Sequence, residues 1–153
     1  MPGGPTRSIR DRRQALEAGQ RAFERGRMEE AIQLLEQAVA LGADTAATHT
    51  MLGLAYARER QVERGFEHLE RAVALDPEGF PSRCALGELY MRLCVPEKAR
   101  EHLACALDCA TTTEERAYVQ SLLREERARD RRRIYRPSFR QPFWLLRRLR
   151  GGT

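Results

Sequence analysis

Apolar residues along this chain recur at helical spacing, in paired runs joined by short polar turns. In residues 48–77, Leu52, Gly53 and Tyr56 mark one face of a first helix, while Leu69, Ala72 and Val73 mark one face of a second. Asp76 and Pro77 then stop the chain where a helix cannot continue. Neither helix can bury its face alone, so the pattern predicts a helical hairpin. The pattern returns upstream and downstream at an interval of 34 residues: Gly19, Gly53 and Gly87; Leu35, Leu69 and Leu103; Ala38, Ala72 and Ala106; and Val39, Val73 and Leu107 just behind. Coincident ladders at one period predict three hairpins stacked so that each covers its neighbour's apolar face.

Turn and cap residues punctuate the same period. The first hairpin is expected to start near Asp11, turn at Arg25, Gly26 and Arg27, and end at Leu41, with Gly42 suited to the position after the helix. Asp44 or Thr45 caps the next helix. The second hairpin turns at Arg60 and Gln61, and the third starts after Pro77 with Ser82 as its cap. Its two helices divide at Cys94, Val95 and Pro96, where proline suits the first helical position. Thr112 and Glu115 have capping-box spacing, which predicts a seventh helix. Ala117, Tyr118, Leu122 and Leu123 of that helix are expected to cover the third repeat, while residues 124–133, almost wholly charged, project into water.

These ladders resemble the tetratricopeptide repeat family, whose 34-residue unit carries Leu-Gly-x-x-Tyr on its first helix and small, large and small residues on its second. The middle unit matches best, with Leu52, Gly53, Tyr56, Leu69, Ala72 and Pro77 in the family's places. The third shows Leu86, Gly87, Tyr90, Ala99, Leu103 and Ala106. The first keeps Gly19, Gly26, Ala31, Leu35 and Ala38 in register, but has Ala18 in the Leu slot, Ala22 in the Tyr slot and Phe23 one residue later. Gly65 replaces the usual Ala of the middle unit, the family's Trp position is never Trp, and the closing Pro is missing from the first and third units. The resemblance covers residues 12–113. It implies an all-α fold, a right-handed α-solenoid of three helix-turn-helix repeats with a C-terminal capping helix, and a role in binding other proteins.

The resemblance also implies a site, because the family's first helices line a concave groove. Carried over by position, that groove takes Leu16, Gln20 and Phe23 from the first repeat, Met51, Leu54 and Arg58 from the second, and Glu88, Met91 and Arg92 from the third. Its inner face is then apolar, suited to a peptide, a helix or a subunit of a larger complex, with Arg58 and Arg92 ready for a carboxylate. One subclass of the family clamps the acidic C-terminal peptides of heat-shock chaperones with basic and Asn residues. This chain has Leu16, Gln20, Met51, Pro81 and Ala85 there, so that ligand is not expected.

Charge changes the picture at one end only. The formal net charge is +5, but residues 129–153 hold nine Arg and one Asp, a local +8, which leaves −3 for the rest. The domain plan is therefore a disordered N-terminus over 1–10, a repeat body with its cap over 11–133, and a tail over 134–153. Arg136, Phe139, Arg140, Phe143, Trp144, Leu146, Arg147, Arg148, Leu149 and Arg150 make the tail basic and aromatic at once, too apolar for an ordinary solvated tail. It reads as a second docking segment for a protein. A membrane surface is the next receptor in order, with the chain peripheral at the membrane's inner face. Nucleic acid comes after it, since the leucines suit lipid or protein better than bases. The first residues lack the apolar centre of a signal peptide, and no apolar run approaches the roughly 20 residues that span a bilayer, so a cytoplasmic location is expected.

Catalytic chemistry has little to stand on. His49, His68 and His102, at intervals of 19 and 34, read as repeat-face residues, and no nucleophile motif, phosphate loop or HExxH run is present. The chain is read as no enzyme, with no cofactor and no small-molecule substrate. Cys84, Cys94, Cys105 and Cys109 read as buried structural thiols, with a metal site on Cys105 and Cys109, four apart on one helix, as the alternative.

Overall fold

A computed structural model describes the backbone of residues 5–132 and the side chains of residues 8–129. The described residues fold into α-helices and carry no strand: α1 (Pro5–Glu24), α2 (Met28–Ala40), α3 (Ala46–Arg58), α4 (Val62–Leu75), α5 (Phe80–Arg92), α6 (Pro96–Cys109) and α7 (Thr113–Arg132). Consecutive helices pair as α1 with α2, α3 with α4 and α5 with α6. The chain divides between Leu75 and Asp76 into two compact units, the first holding α1–α4 and the second α5–α7.

The Gly and Leu ladders turn out to be two sides of one contact. A Cβ added to Gly19 would lie 2.8 Å from Leu35 Cγ, one on Gly53 2.5 Å from Leu69 Cγ, and one on Gly87 2.6 Å from Leu103 Cγ. Each hairpin thus closes by seating a fully buried leucine of its second helix on a bare patch of its first. Gly65 takes its place for a similar reason: a Cβ there would meet the Gly53 carbonyl oxygen at 3.1 Å and the Ala57 nitrogen at 3.3 Å. The middle hairpin draws its two backbones closer than the family's usual Ala allows.

The turns repeat as faithfully. Gly26, Arg60 and Cys94, spaced by 34, all adopt left-handed backbone, with φ of 77°, 62° and 58°. Around each, the next amide bonds back five residues, Arg27 to Ala22 at 2.9 Å, Gln61 to Tyr56 at 2.9 Å and Val95 to Tyr90 at 3.0 Å. These are Schellman closures, which satisfy the last carbonyls of each first helix. Gly42, with φ 97°, closes α2 in the same way. At the N-termini, Thr45 Oγ1 accepts from the Thr48 amide at 3.2 Å. Thr112 and Glu115 form the reciprocal capping box, their two bonds at 3.1 and 3.2 Å.

Three expectations are corrected. Helix α1 begins at Pro5 rather than near Asp11, inside the segment 1–10 expected to be disordered, because proline suits a first turn and nothing from Thr6 to Arg10 breaks a helix. Gly79, not Ser82, occupies the N-cap of α5; Ser82 lies within the first turn and donates its hydroxyl to the Gly79 carbonyl at 3.0 Å. On α7, Val119 and Leu122 enter the core of the second unit beside Phe80, Cys84, Met91, Leu103 and Ala106, whereas Ala117 is exposed. Glu126 is also buried, paired with Arg100 Nε at 3.2 Å, so the charged end of α7 is not wholly given to water.

Candidate functional site

In the first unit, α3 is buried along residues 48–57, so its apolar residues serve packing on more than one side. Phe23, Met51 and Leu54, expected to line a groove, are 1%, 3% and 0% exposed. All three are buried. What stays partly accessible there is Leu16 and Gln20 of α1 and Arg58 of α3. Arg58 lies over the Phe23 ring, 5.3 Å from its centroid, and its Nη1 donates to Met28 Sδ at 3.8 Å. A cation resting on an aromatic face and a thioether loses little freedom when it meets a ligand.

In the second unit, α7 covers the corresponding face of α5. Met91 joins the core with Val119 and Leu122. Glu88, also buried, accepts a hydrogen bond from Tyr118 Oη at 2.8 Å and lies 3.8 Å from Cys84 Sγ. Burial first, and then the Glu88 carboxylate, push the Tyr118 hydroxyl and the Cys84 thiol far above their usual ranges, so both remain protonated donors. Of the three groove residues assigned to this repeat, Glu88 and Met91 are buried, and Arg92 alone is partly exposed. All four cysteines are free. Cys84 is buried as expected, but Cys105 and Cys109 are half-buried, and Cys94, at the left-handed turn, is exposed. Among the described residues no group of three or more His, Cys, Asp or Glu could hold a metal ion. The tail residues Arg136, Phe139, Arg140, Phe143, Trp144, Leu146, Arg147, Arg148, Leu149 and Arg150 lie outside the described residues.

A polar layer that sequence reasoning treated as repeat surface crosses the α3–α4 hairpin. His49 Nδ1 lies 2.8 Å from His68 Nδ1, and His49 Nε2 lies 2.7 Å from Asp44 Oδ1. Asp44 Oδ2 in turn accepts from Arg71 at 2.6 Å. Hydrogen bonds from Arg71 and then His49 hold the Asp44 carboxyl below its usual range. The His68 ring stacks on Tyr56 at 5.4 Å, nearly parallel, and Tyr56 Oη donates to Glu36 of α2 while accepting from Arg64 at 3.3 Å. In the second unit, His102 stacks on Tyr90 in the same way, but its Nδ1 faces Arg83 Nη1 at 3.3 Å. The signal was present in the sequence as an interval of 19 that separates both His49 from His68 and Arg83 from His102.

Comparison with known proteins agrees with this architecture. A TPR repeat model matches residues 19–59, and a tetratricopeptide repeat model matches residues 46–78. No curated protein matches the chain. Among solved structures, the TPR domain of Arabidopsis OM64 superposes with a TM-score of 0.69 at 14% identity, covering 77% of this chain and 98% of that one. The first TPR of Spaghetti (RPAP3), bound to the HSP90 peptide SRMEEVD, gives 0.69 at 19% identity over 78% and 92%. The Sgt2 TPR domain from Aspergillus fumigatus gives 0.68 at 17% identity over 85% and 88%.

Proposed function

Because this chain belongs to the tetratricopeptide-repeat proteins, a family of interaction scaffolds, we propose that it is a non-catalytic adaptor that holds a peptide, helix or subunit of a larger complex. The observation that carries this reading is the α1–α3 face of the first unit, where Leu16, Gln20 and Arg58 stay partly accessible and Arg58 lies over the buried Phe23 ring. A surface fixed in advance loses little entropy on binding, so a few contacts suffice. The Spaghetti domain binds an acidic peptide, which supports a peptide as ligand class. Here the family's clamp positions hold Leu16, Gln20, Met51, Pro81 and Ala85, so the ligand is one that offers an apolar side chain to Leu16 and a carboxylate to Arg58.

The domain plan belongs to the same proposal: a repeat body that starts with α1 and runs to 133, and a second docking segment over 134–153, in which Arg residues draw in an acidic surface and Phe139, Phe143, Trp144, Leu146 and Leu149 seat in it. Trp144 beside leucines and arginines also favours a second reading, a peripheral anchor at the inner face of a membrane. Among the described residues no helix is long and apolar enough to cross one.

Affinity purification tests both parts. The intact chain is compared with a version ending at Arg133 and with Leu16→Glu plus Arg58→Glu, each checked for fold by circular dichroism. The double variant is expected to lose its specific partner and the truncated chain to hold it more weakly. Unaltered recovery by the folded double variant places the binding surface elsewhere. Flotation with anionic liposomes, lost in Phe143→Ser with Trp144→Ser, identifies lipid as the tail's receptor.

A further inference from the structure

We propose that His49 and His68 form a proton-operated latch between α3 and α4, closed while the pair holds at most one proton beyond neutrality and forced open by the second. With Nδ1 facing Nδ1 at 2.8 Å, one nitrogen must donate and the other accept. The remaining ring nitrogen of His49 is committed, since Nε2 must carry a hydrogen to meet Asp44 Oδ1 at 2.7 Å. Two proton inventories fit this geometry. In the first both rings are neutral, and the His68 Nδ1–H donates to His49. In the second His49 is an imidazolium that donates at both ends, to Asp44 and to the Nδ1 lone pair of His68. A further proton would set two N–H groups and two positive charges face to face, with His49 only 6% exposed and little water to screen them.

The surroundings decide how firmly the second proton is resisted. Facing the pair are Glu36 from α2, Asp44 from the α2–α3 connection, Tyr56 from α3, and Arg64, Glu67 and Arg71 from α4. Arg71 is occupied by Asp44, and Arg64 opposes a charge on His68, while Glu36 and Glu67 favour one. Burial, followed by His49, outweighs the carboxylates and keeps the His68 imidazole below its usual range. Below about pH 6.5, where a free histidine titrates, the unfolded chain holds more protons than the folded one until the latch takes its second, so stability falls with pH through that window. The strain has a route outward, because His68 is held between His49 and the Tyr56 ring, whose hydroxyl reaches α2 through Glu36.

The second unit supplies an internal control. Arg83 stands 34 residues after His49, as His102 does after His68, and its guanidinium is a donor at every accessible pH. The same stack there is held by a donor that does not titrate away.

The full chain is titrated from pH 8 to 4, following imidazole nitrogen shifts, amide exchange in α3 and α4, and Tm. We expect one proton to enter with amide protection intact and the second to coincide with its loss, with Tm falling over the same step. His49→Arg, which copies the third repeat, and His68→Gln are expected to lose the greater part of that fall, whereas His102→Gln keeps it. Independent titration of both rings at ordinary imidazole values with α3–α4 protection unbroken overturns the latch. A wild-type pH slope in folded His68→Gln overturns it as well. If the variants do not fold, the wild-type titration decides alone.

Discussion

The hairpins α3–α4 and α5–α6 share their glycine–leucine seats, their stacked Tyr–His pairs and their turns, and differ in the polar groups laid over them. Gly53 seats Leu69 as Gly87 seats Leu103, Tyr56 stacks on His68 as Tyr90 stacks on His102, and Arg60 and Cys94 make the same left-handed turn. Yet His49 is replaced by Arg83, and Leu54, fully buried, is replaced by Glu88, which Tyr118 of α7 satisfies. The skeleton fixes the hairpin, and the polar layer is free to answer local needs: a titratable pair in one unit, a bond to the terminal helix in the other.

If the two glycine seats are equivalent, breaking them should cost the same. Leu69→Ala and Leu103→Ala each remove a fully buried side chain from its glycine seat and are expected to lose about 2–5 kcal/mol, read by urea unfolding. A large inequality between the two would show that one unit leans on its hairpin more than the other. Tyr118→Phe tests the polar difference. It takes a donor from the buried Glu88 carboxylate and should cost about 1–3 kcal/mol, while the middle repeat, with Leu54 in that place, offers no equivalent loss. The smallest effect is a gain. Arg60→Gly and Cys94→Gly relieve a left-handed conformation that Gly26 adopts freely, and each should raise stability by about 1 kcal/mol. Unchanged or lower unfolding midpoints would mean that these turns carry no such cost.

The ladders were legible because a fixed period converts single weak signals into a joint one: Gly19, Gly53 and Gly87 mean little apart, but beside Leu35, Leu69 and Leu103 they define a contact. Turns were legible from the same register, even at Arg60, where the residue itself gives no glycine signal. The groove was not. Periodicity marks apolar positions without saying whether another helix or a ligand covers them, and a helix buried along residues 48–57, like α3, is apolar on several sides. Phe23, Met51, Leu54 and Met91 were assigned to a ligand on position alone, and all four are buried. Glu88 escaped because its partner, Tyr118, lies 30 residues on, in the capping helix outside the repeat. The His49–His68 pair left only its interval of 19, which acquires meaning once a second pair repeats it.

The seating of each leucine on a glycine only 16 residues before it also sets the pace at which the chain reaches this structure. Every hairpin closes a short loop of its own and waits for no distant strand or terminus, so the entropy lost before the first tertiary contact is small. Helical folds with such local connections commonly form within microseconds to milliseconds. A nascent chain leaving the ribosome can therefore complete each hairpin as soon as its second helix emerges, and only the apolar face meant for a neighbouring hairpin is left waiting for a partner.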